Sequence, residues 1–154
     1  MSDQLYCVLI ATEGDTLLLP NAMVAETVGL DALTADGPES HWKLGSLEWN
    51  RQRIPAVRFE VANGAAAQPL GRRARLVVVQ PLEGSAIATP LALLAQGYPH
   101  LITVTRQSIQ PQPLRPEDDP ELVLTRLSIG NTQALVPDID ALRRRWQASA
   151  PTTL

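Results

Sequence analysis

Apolar and polar positions along this chain alternate in short runs separated by turn residues, a pattern that predicts many strands and few helices. Gln4 to Thr12 contains Leu5-Tyr6-Cys7-Val8-Leu9-Ile10, rich in β-branched and aromatic side chains, and Glu13-Gly14-Asp15 supplies turn chemistry before Thr16-Leu17-Leu18-Leu19. These runs predict a β-hairpin. From Ala22 to Val28, Met23, Ala25 and Thr27 fall on one side and Val24, Glu26 and Val28 on the other, predicting a further strand, and Thr34 to Ser40 is a polar loop. Leu47 to Trp49 and Val57 to Val61 alternate again, with Asn50-Arg51-Gln52 as the turn of a second hairpin. Asn63-Gly64, three alanines and Pro69-Leu70-Gly71 form an exposed connector, and Arg75-Leu76-Val77-Val78-Val79-Gln80 is a buried strand.

The segment from Ile87 to Gln96 is ambiguous. Thr89-Pro90, then Leu91-Ala92-Leu93-Leu94-Ala95-Gln96 and Gly97, carries the cap, first-turn proline and terminal glycine of a short helix. Leu101-Ile102-Thr103-Val104 is a strand, Pro111 to Pro120 a proline-spaced loop, and Leu122 to Ile129 with Thr132 to Val136 a hairpin around Gly130-Asn131. Pro137-Asp138 opens a C-terminal helix in which Ile139, Leu142 and Trp146 form one apolar stripe, and Arg143, Arg144 and Arg145 lie toward the negative end of the dipole.

Composition narrows the classes of function. With 154 residues, 45% of them hydrophobic, the chain suits one compact domain or two small lobes sharing a core. Its 13 Lys plus Arg against 16 Asp plus Glu give a net charge of -3, so no global basic field favours nucleic acid. Arg72-Arg73-Ala74-Arg75 and Arg143 to Arg145 are local concentrations, read as a solubilising strand edge and a dipole complement. Cys7 is alone, which excludes an intrachain disulfide and suits the cytoplasm. The opening Met1-Ser2-Asp3-Gln4 lacks a signal-like basic start, and no apolar run approaches the roughly 20 residues of a membrane-spanning helix, so neither export nor membrane insertion is expected.

Candidate chemistry is sparse. Cys7 sits in an apolar strand as a small buried hydrophobe, and His41 and His100 stand in no metal-ligand spacing. The run Glu117-Asp118-Asp119-Pro120-Glu121 lacks the alternate ligands and glycine of a calcium loop, so it reads as a solvated acidic loop. No catalytic residue, metal or cofactor is expected. Trp42 and Trp49 bracket a glycine turn and are of the type enriched at interface hot spots, although either one singly fits a small barrel core equally well. If Leu47 and Trp49 face inward, Glu48 and Asn50 face a partner.

The piece Gly45-Ser46-Leu47-Glu48-Trp49-Asn50-Arg51-Gln52-Arg53-Ile54-Pro55-Ala56-Val57 resembles the CheW-like chemotaxis adaptor family, with Gly45 and Pro55 at the family's spacing. Val24-Ala25-Glu26-Thr27-Val28 is similar to its Val-x-Glu-Ile segment, and Ala134-Leu135-Val136-Pro137-Asp138-Ile139 to its closing pattern, so the similarity spans nearly the whole chain. Where the family carries Arg-Gly, this chain has Asn50-Arg51, and the second-lobe Val-Asp-x-Val signature is absent. These departures resemble the ChpC-type branch, linked to chemosensory control of type IV pili and twitching motility.

The resemblance implies an all-β fold: two SH3-like five-stranded barrels side by side over a shared core, with a short C-terminal helix. It turns the expectation at Leu91 to Gln96 from helix to strand, since local propensity is a weak prior against tertiary context. It implies a non-enzymatic adaptor that joins the cytoplasmic tip of a chemoreceptor to the regulatory domain of a CheA-type histidine kinase. Residue type, alternation and resemblance together make Glu26, Trp42, Glu48, Trp49, Asn50, Arg51 and Arg53 the expected docking residues, with Gly45 and Pro55 as frame. The strand pattern without the resemblance leaves a small OB- or SH3-type barrel that binds a small ligand or nucleic acid. An enzyme using Cys7 with His41 or His100 rests only on residue types.

Overall fold

The computed structural model describes residues 4–81 and 89–148. The N-terminal hairpin forms as its pattern predicts: β1 (Leu5–Thr12) and β2 (Asp15–Pro20) pair antiparallel, and Thr12 opposes Asp15 across a turn where Gly14 adopts φ 80°. A 3-10 turn at Asn21–Met23 leads into β3 (Val24–Gly29), and the polar loop begins with the two-residue β4 (Thr34–Ala35). The second hairpin is β5 (Lys43–Trp49) with β6 (Gln52–Val57).

One expectation is corrected nearby. The alternation from Val57 to Val61 is not a strand, because the chain turns into the helical turn α1 (Phe59–Ala62). Both polar members of that alternation, Arg58 and Glu60, are buried beside Phe59, so the two-residue period did not mark a solvent face. After the connector come β7 (Arg75–Val79), β8 (Leu91–Ala95) and β9 (His100–Val104). The ambiguous segment is thus a strand from Leu91 to Ala95, and Ile87 and Ala88 lie outside the described residues, as do Met1 to Asp3. The proline-spaced loop yields its start to β10 (Ile109–Gln112), which pairs with β11 (Val123–Ile129); β12 (Thr132–Pro137) and α2 (Ile139–Ala148) follow. The Asp138 carboxylate accepts from the Ala141 amide at 3.0 Å, capping α2 as expected.

The strands form two sheets, ordered β10-β11-β12-β2-β1-β9 and β3-β7-β8-β6-β5-β4. Each has six strands, one being the two-residue β4. In each sheet, strands at or next to opposite ends contribute to one inner cluster. Ile109 of β10 and Val104 of β9 share the first, and Val28 of β3 and Leu47 of β5 share the second. Each sheet is therefore rolled into a barrel-like lobe. A third cluster lies between the lobes, built from the outer faces of β1, β2, β7 and β8 with Phe59 and the apolar stripe of α2.

Strand parity explains this layering. In β7, Leu76 and Val78 point into their own lobe while Val77 and Val79 point at the other; in β8, Ala92 and Leu94 do the first and Leu91 and Leu93 the second. Both faces are buried, which is why these strands read as unbroken apolar runs. The Gln96 amide donates to the Ala11 carbonyl at 2.8 Å, a backbone link between the lobes.

Candidate docking surface

The β5–β6 hairpin is held by its backbone. Asn50 and Arg51 have φ 51° and 66°, a two-residue turn with Trp49 opposite Gln52. Hairpins favour this mirror-image turn because its twist matches the strands, and asparagine tolerates it well, whereas arginine bears a cost of about 1 kcal/mol. Gly45 lies within β5 rather than in a turn, at φ 149°, paired with Ala35. A Cβ there would collide with the Thr34 carbonyl oxygen and lie 3.0 Å from the Ala35 Cα, so β4 approaches as closely as only glycine permits. Pro55 opposes Ser46, one residue before β6 begins to pair with β8 at Ala56 and Val57. Its missing N–H therefore disturbs no bond to β8.

Six of the seven expected docking residues gather at this end of the second lobe. The Trp49 indole N–H donates to Glu26 Oε2 at 2.7 Å, joining the hairpin to β3 across the open end of the barrel, while the ring packs on the inner cluster. Arg53 donates to Ser46 Oγ at 2.9 Å and lies 3.7 Å from Glu48 Oε1. Glu48, Asn50, Arg51 and Arg53 are exposed and Leu47 is buried, which is the inward-outward division the alternation predicts.

Trp42 stands apart from this group. It meets Trp146 of α2 edge to face, with ring centroids 6.0 Å apart, and Lys43 Nζ lies 5.0 Å from the Trp146 centroid. Its area is spent joining α2 to the start of β5 against the central core.

Residues that looked solvated form the buried polar structure. Asp118 is only 9% exposed; Arg126 donates to it through Nε at 2.6 Å and Nη2 at 2.8 Å, and to Asp15 at 2.7 and 3.1 Å. The Arg126 hydrogen bonds hold the Asp118 carboxyl well below the usual carboxylate range, opposing its burial. Asp119 accepts from Arg145 at 2.8 Å, and the buried Arg143 donates to the Pro90 carbonyl at 3.0 Å. Two of the three helix arginines thus clamp α2 to its neighbours rather than serve only the dipole, and the acidic run is a structural anchor. In the basic group before β7, Arg75 stacks over the Tyr98 ring at 5.1 Å. Arg58, 1% exposed, donates to the Glu39 and Gln68 carbonyls, both at 2.8 Å, and to Glu60 Oε1 at 3.1 Å. Burial pushes the Glu60 carboxyl up, and its second oxygen has no hydrogen-bond partner. The alternation around Val57 disguised this pair as a surface face.

Among the described residues, groups suited to catalysis are not assembled. Cys7 is buried and its thiol is pushed up by desolvation, the reverse of an activated nucleophile, while His41 and His100 are exposed. No group of three or more His, Cys, Asp or Glu side chains that could hold a metal ion occurs among the described residues. A cleft of about 640 Å3 along α2 is walled in part by the charged Glu121, Arg144 and Arg145.

The CheW-like domain family matches residues 6–145, nearly the whole two-lobed body. The chain belongs to the CheW-like domain family. Members are non-enzymatic scaffolding adaptors. The fold is similar to the crystal structure of scaffolding protein TtCheW from Thermoanaerobacter tengcongensis, with TM-score 0.69, 16% identity, and coverage of 87% of this chain and 88% of that one. No curated protein sequence matches the chain. Among the described residues no helix of this CheW-like domain is long and apolar enough to cross a membrane.

Proposed function

We propose that this CheW-like domain couples the cytoplasmic tip of a chemoreceptor to the regulatory domain of a CheA-type histidine kinase, in a ChpC-type branch that controls type IV pili and twitching motility. The observation that carries the reading is the β5–β6 hairpin, whose frame is pinned by Gly45 against β4 while Glu48, Asn50, Arg51 and Arg53 project from a fixed turn. A rigid element that displays charged groups gives specificity with little ordering cost on binding. The arginine sits at the second turn position, where relatives carry glycine, so the displayed charge is displaced by one residue and the receptor or kinase served is expected to be a matching variant. The protein works in the cytoplasm and reaches the membrane through the receptors it binds.

A pull-down with the purified kinase regulatory domain and receptor tip at micromolar concentration tests this reading. Retention of both by the wild-type protein, with loss on Arg51→Glu/Arg53→Glu, is the expected result; retention of neither by wild type would overturn it. Deletion of the gene is expected to alter twitching zones while leaving pilin levels unchanged, and unaltered twitching would remove the pilus assignment.

A further inference from the structure

A second surface lies away from the hairpin, at the seam between the lobes. A groove of about 500 Å3 is lined by Ala11, Arg73, Arg75, Gln96, Gly97, Tyr98 and His100. The link from the Gln96 amide to the Ala11 carbonyl places the ends of β8 and β1 together in it. Arg75 is half-buried, its guanidinium stacked on Tyr98 at 5.1 Å and donating to the Ala74 carbonyl at 2.9 Å, so the cation is held in place before any ligand arrives. Neither Arg73 nor Arg75 pairs with a carboxylate among the described residues, in a chain whose net charge is -3. Arg53, Arg58, Arg115, Arg126 and Arg145, by contrast, all meet carboxylates.

The groove opens onto the start of β9, which ends its sheet and pairs only with β1 among the described residues. That edge is unusually apolar for one left open. Leu101 and Tyr98 are each 64% exposed, and Tyr6, which shares the β1 face with Val8 opposite Leu101, is 59% exposed. Ile102 and Val104 of β9 turn into the inner cluster and Leu101 is its exposed apolar side chain; natural sheets blunt open edges with charge, proline or cover, and an edge whose backbone groups are left unpaired is suited to receiving another strand. Lysines and prolines are absent from His100 to Val104.

We propose that an extended acidic peptide segment of a partner protein docks here, adding as a strand to the free edge of β9 and placing its carboxylates on Arg73 and Arg75. β9 has five residues, room for about 17 Å of added strand. Alternate apolar residues of the peptide cover Leu101 and Tyr98, and alternate acidic ones reach the guanidinium groups. This site is separate from the hairpin and stands whether or not the hairpin binds kinase or receptor.

The test uses the full-length protein and a fluorescently labelled octapeptide alternating valine and glutamate, titrated by anisotropy at low salt, with a valine-lysine octapeptide as control. The acidic peptide is expected to bind at micromolar concentration, to weaken at least tenfold in Arg73→Glu/Arg75→Glu and in Leu101→Asp, and to weaken with added salt. Pull-down of the kinase domain is expected to stay unchanged in the same variants, and their thermal melts report that they remain folded. Equal binding of the lysine peptide, or acidic-peptide binding unaltered in both folded variants, would overturn the proposal. So would self-association that Leu101→Asp abolishes without any peptide binding, or binding of phosphatidylglycerol vesicles in place of the peptide.

Discussion

The hairpin tip at Glu48 to Arg53 and the acidic loop at Glu117 to Glu121 both carry charged residues and use them in opposite ways. At the tip, Glu48 and Arg53 meet at 3.7 Å with side chains 78% and 52% exposed, where water and salt screen the pair. In the loop, Asp118 and Arg126 meet at 2.6 Å with side chains 1% and 6% exposed, and each remaining polar atom is taken up by Asp15, Asn63 or a backbone amide. Charge at the tip is available to a partner because it does little for the fold. Charge in the loop is committed to the fold, because the pair stays bound only while all its hydrogen bonds are made.

The largest test of that contrast is Asp118→Ala. It leaves Arg126 buried with only Asp15 for company and is expected to lower stability by about 3–5 kcal/mol in urea unfolding; a loss as small as that of a surface pair would erase the difference between the two regions. The same carboxylate predicts a pH response. Its folded-state value is depressed below the ordinary 3.8, so its stabilisation is full well above that value and is lost as pH falls through and below it. Urea unfolding of wild type is expected to weaken over that acid range, and Asp118→Asn to flatten the decline.

Next in size is Gly45→Ala, which damages the frame of the tip rather than its charges. The positive φ alone costs about 1–3 kcal/mol, and the collision with Thr34 adds to it; an unchanged melting temperature would show that β4 yields instead. Arg51→Gly acts in the other direction. It relieves the left-handed turn and is expected to raise stability by about 1 kcal/mol, a rise of roughly 3 °C in a melt, while weakening any partner that reads the arginine. The smallest effect is that of Glu48→Gln, expected to change stability by no more than about 0.5 kcal/mol, with its consequence confined to binding.

The two regions also differ in how legible they were. The hairpin is local: its alternation, its turn and its glycine-proline spacing lie within Gly45 to Val57, so strands, turn and outward residues follow from neighbours in sequence. The acidic loop is not local, since Arg126 lies eight residues from Asp118 and 111 from Asp15. No short pattern pairs them, and a run of carboxylates looks the same solvated or anchored. Trp42 shows the same limit, because the ring it packs on, Trp146, is on α2 and far away in sequence.

The sequence alone determined the β-rich class, the turns, the capped C-terminal helix and the division of Leu47 from Glu48, all set by neighbours a few residues apart. Tertiary structure decided what those neighbours could not. Leu91 to Gln96 has the punctuation of a helix, yet Leu91–Ala95 is a strand because Leu91 and Leu93 are needed in the core between the lobes and Ala92 and Leu94 inside one of them. A short segment buried on both faces and bonded to β7 and β6 satisfies its backbone from both sides, which outweighs the fractions of a kcal/mol per residue that favour a helix. Tertiary structure likewise chose which charges to bury, because the free energy of a buried ion pair depends on hydrogen-bond partners brought from across the fold.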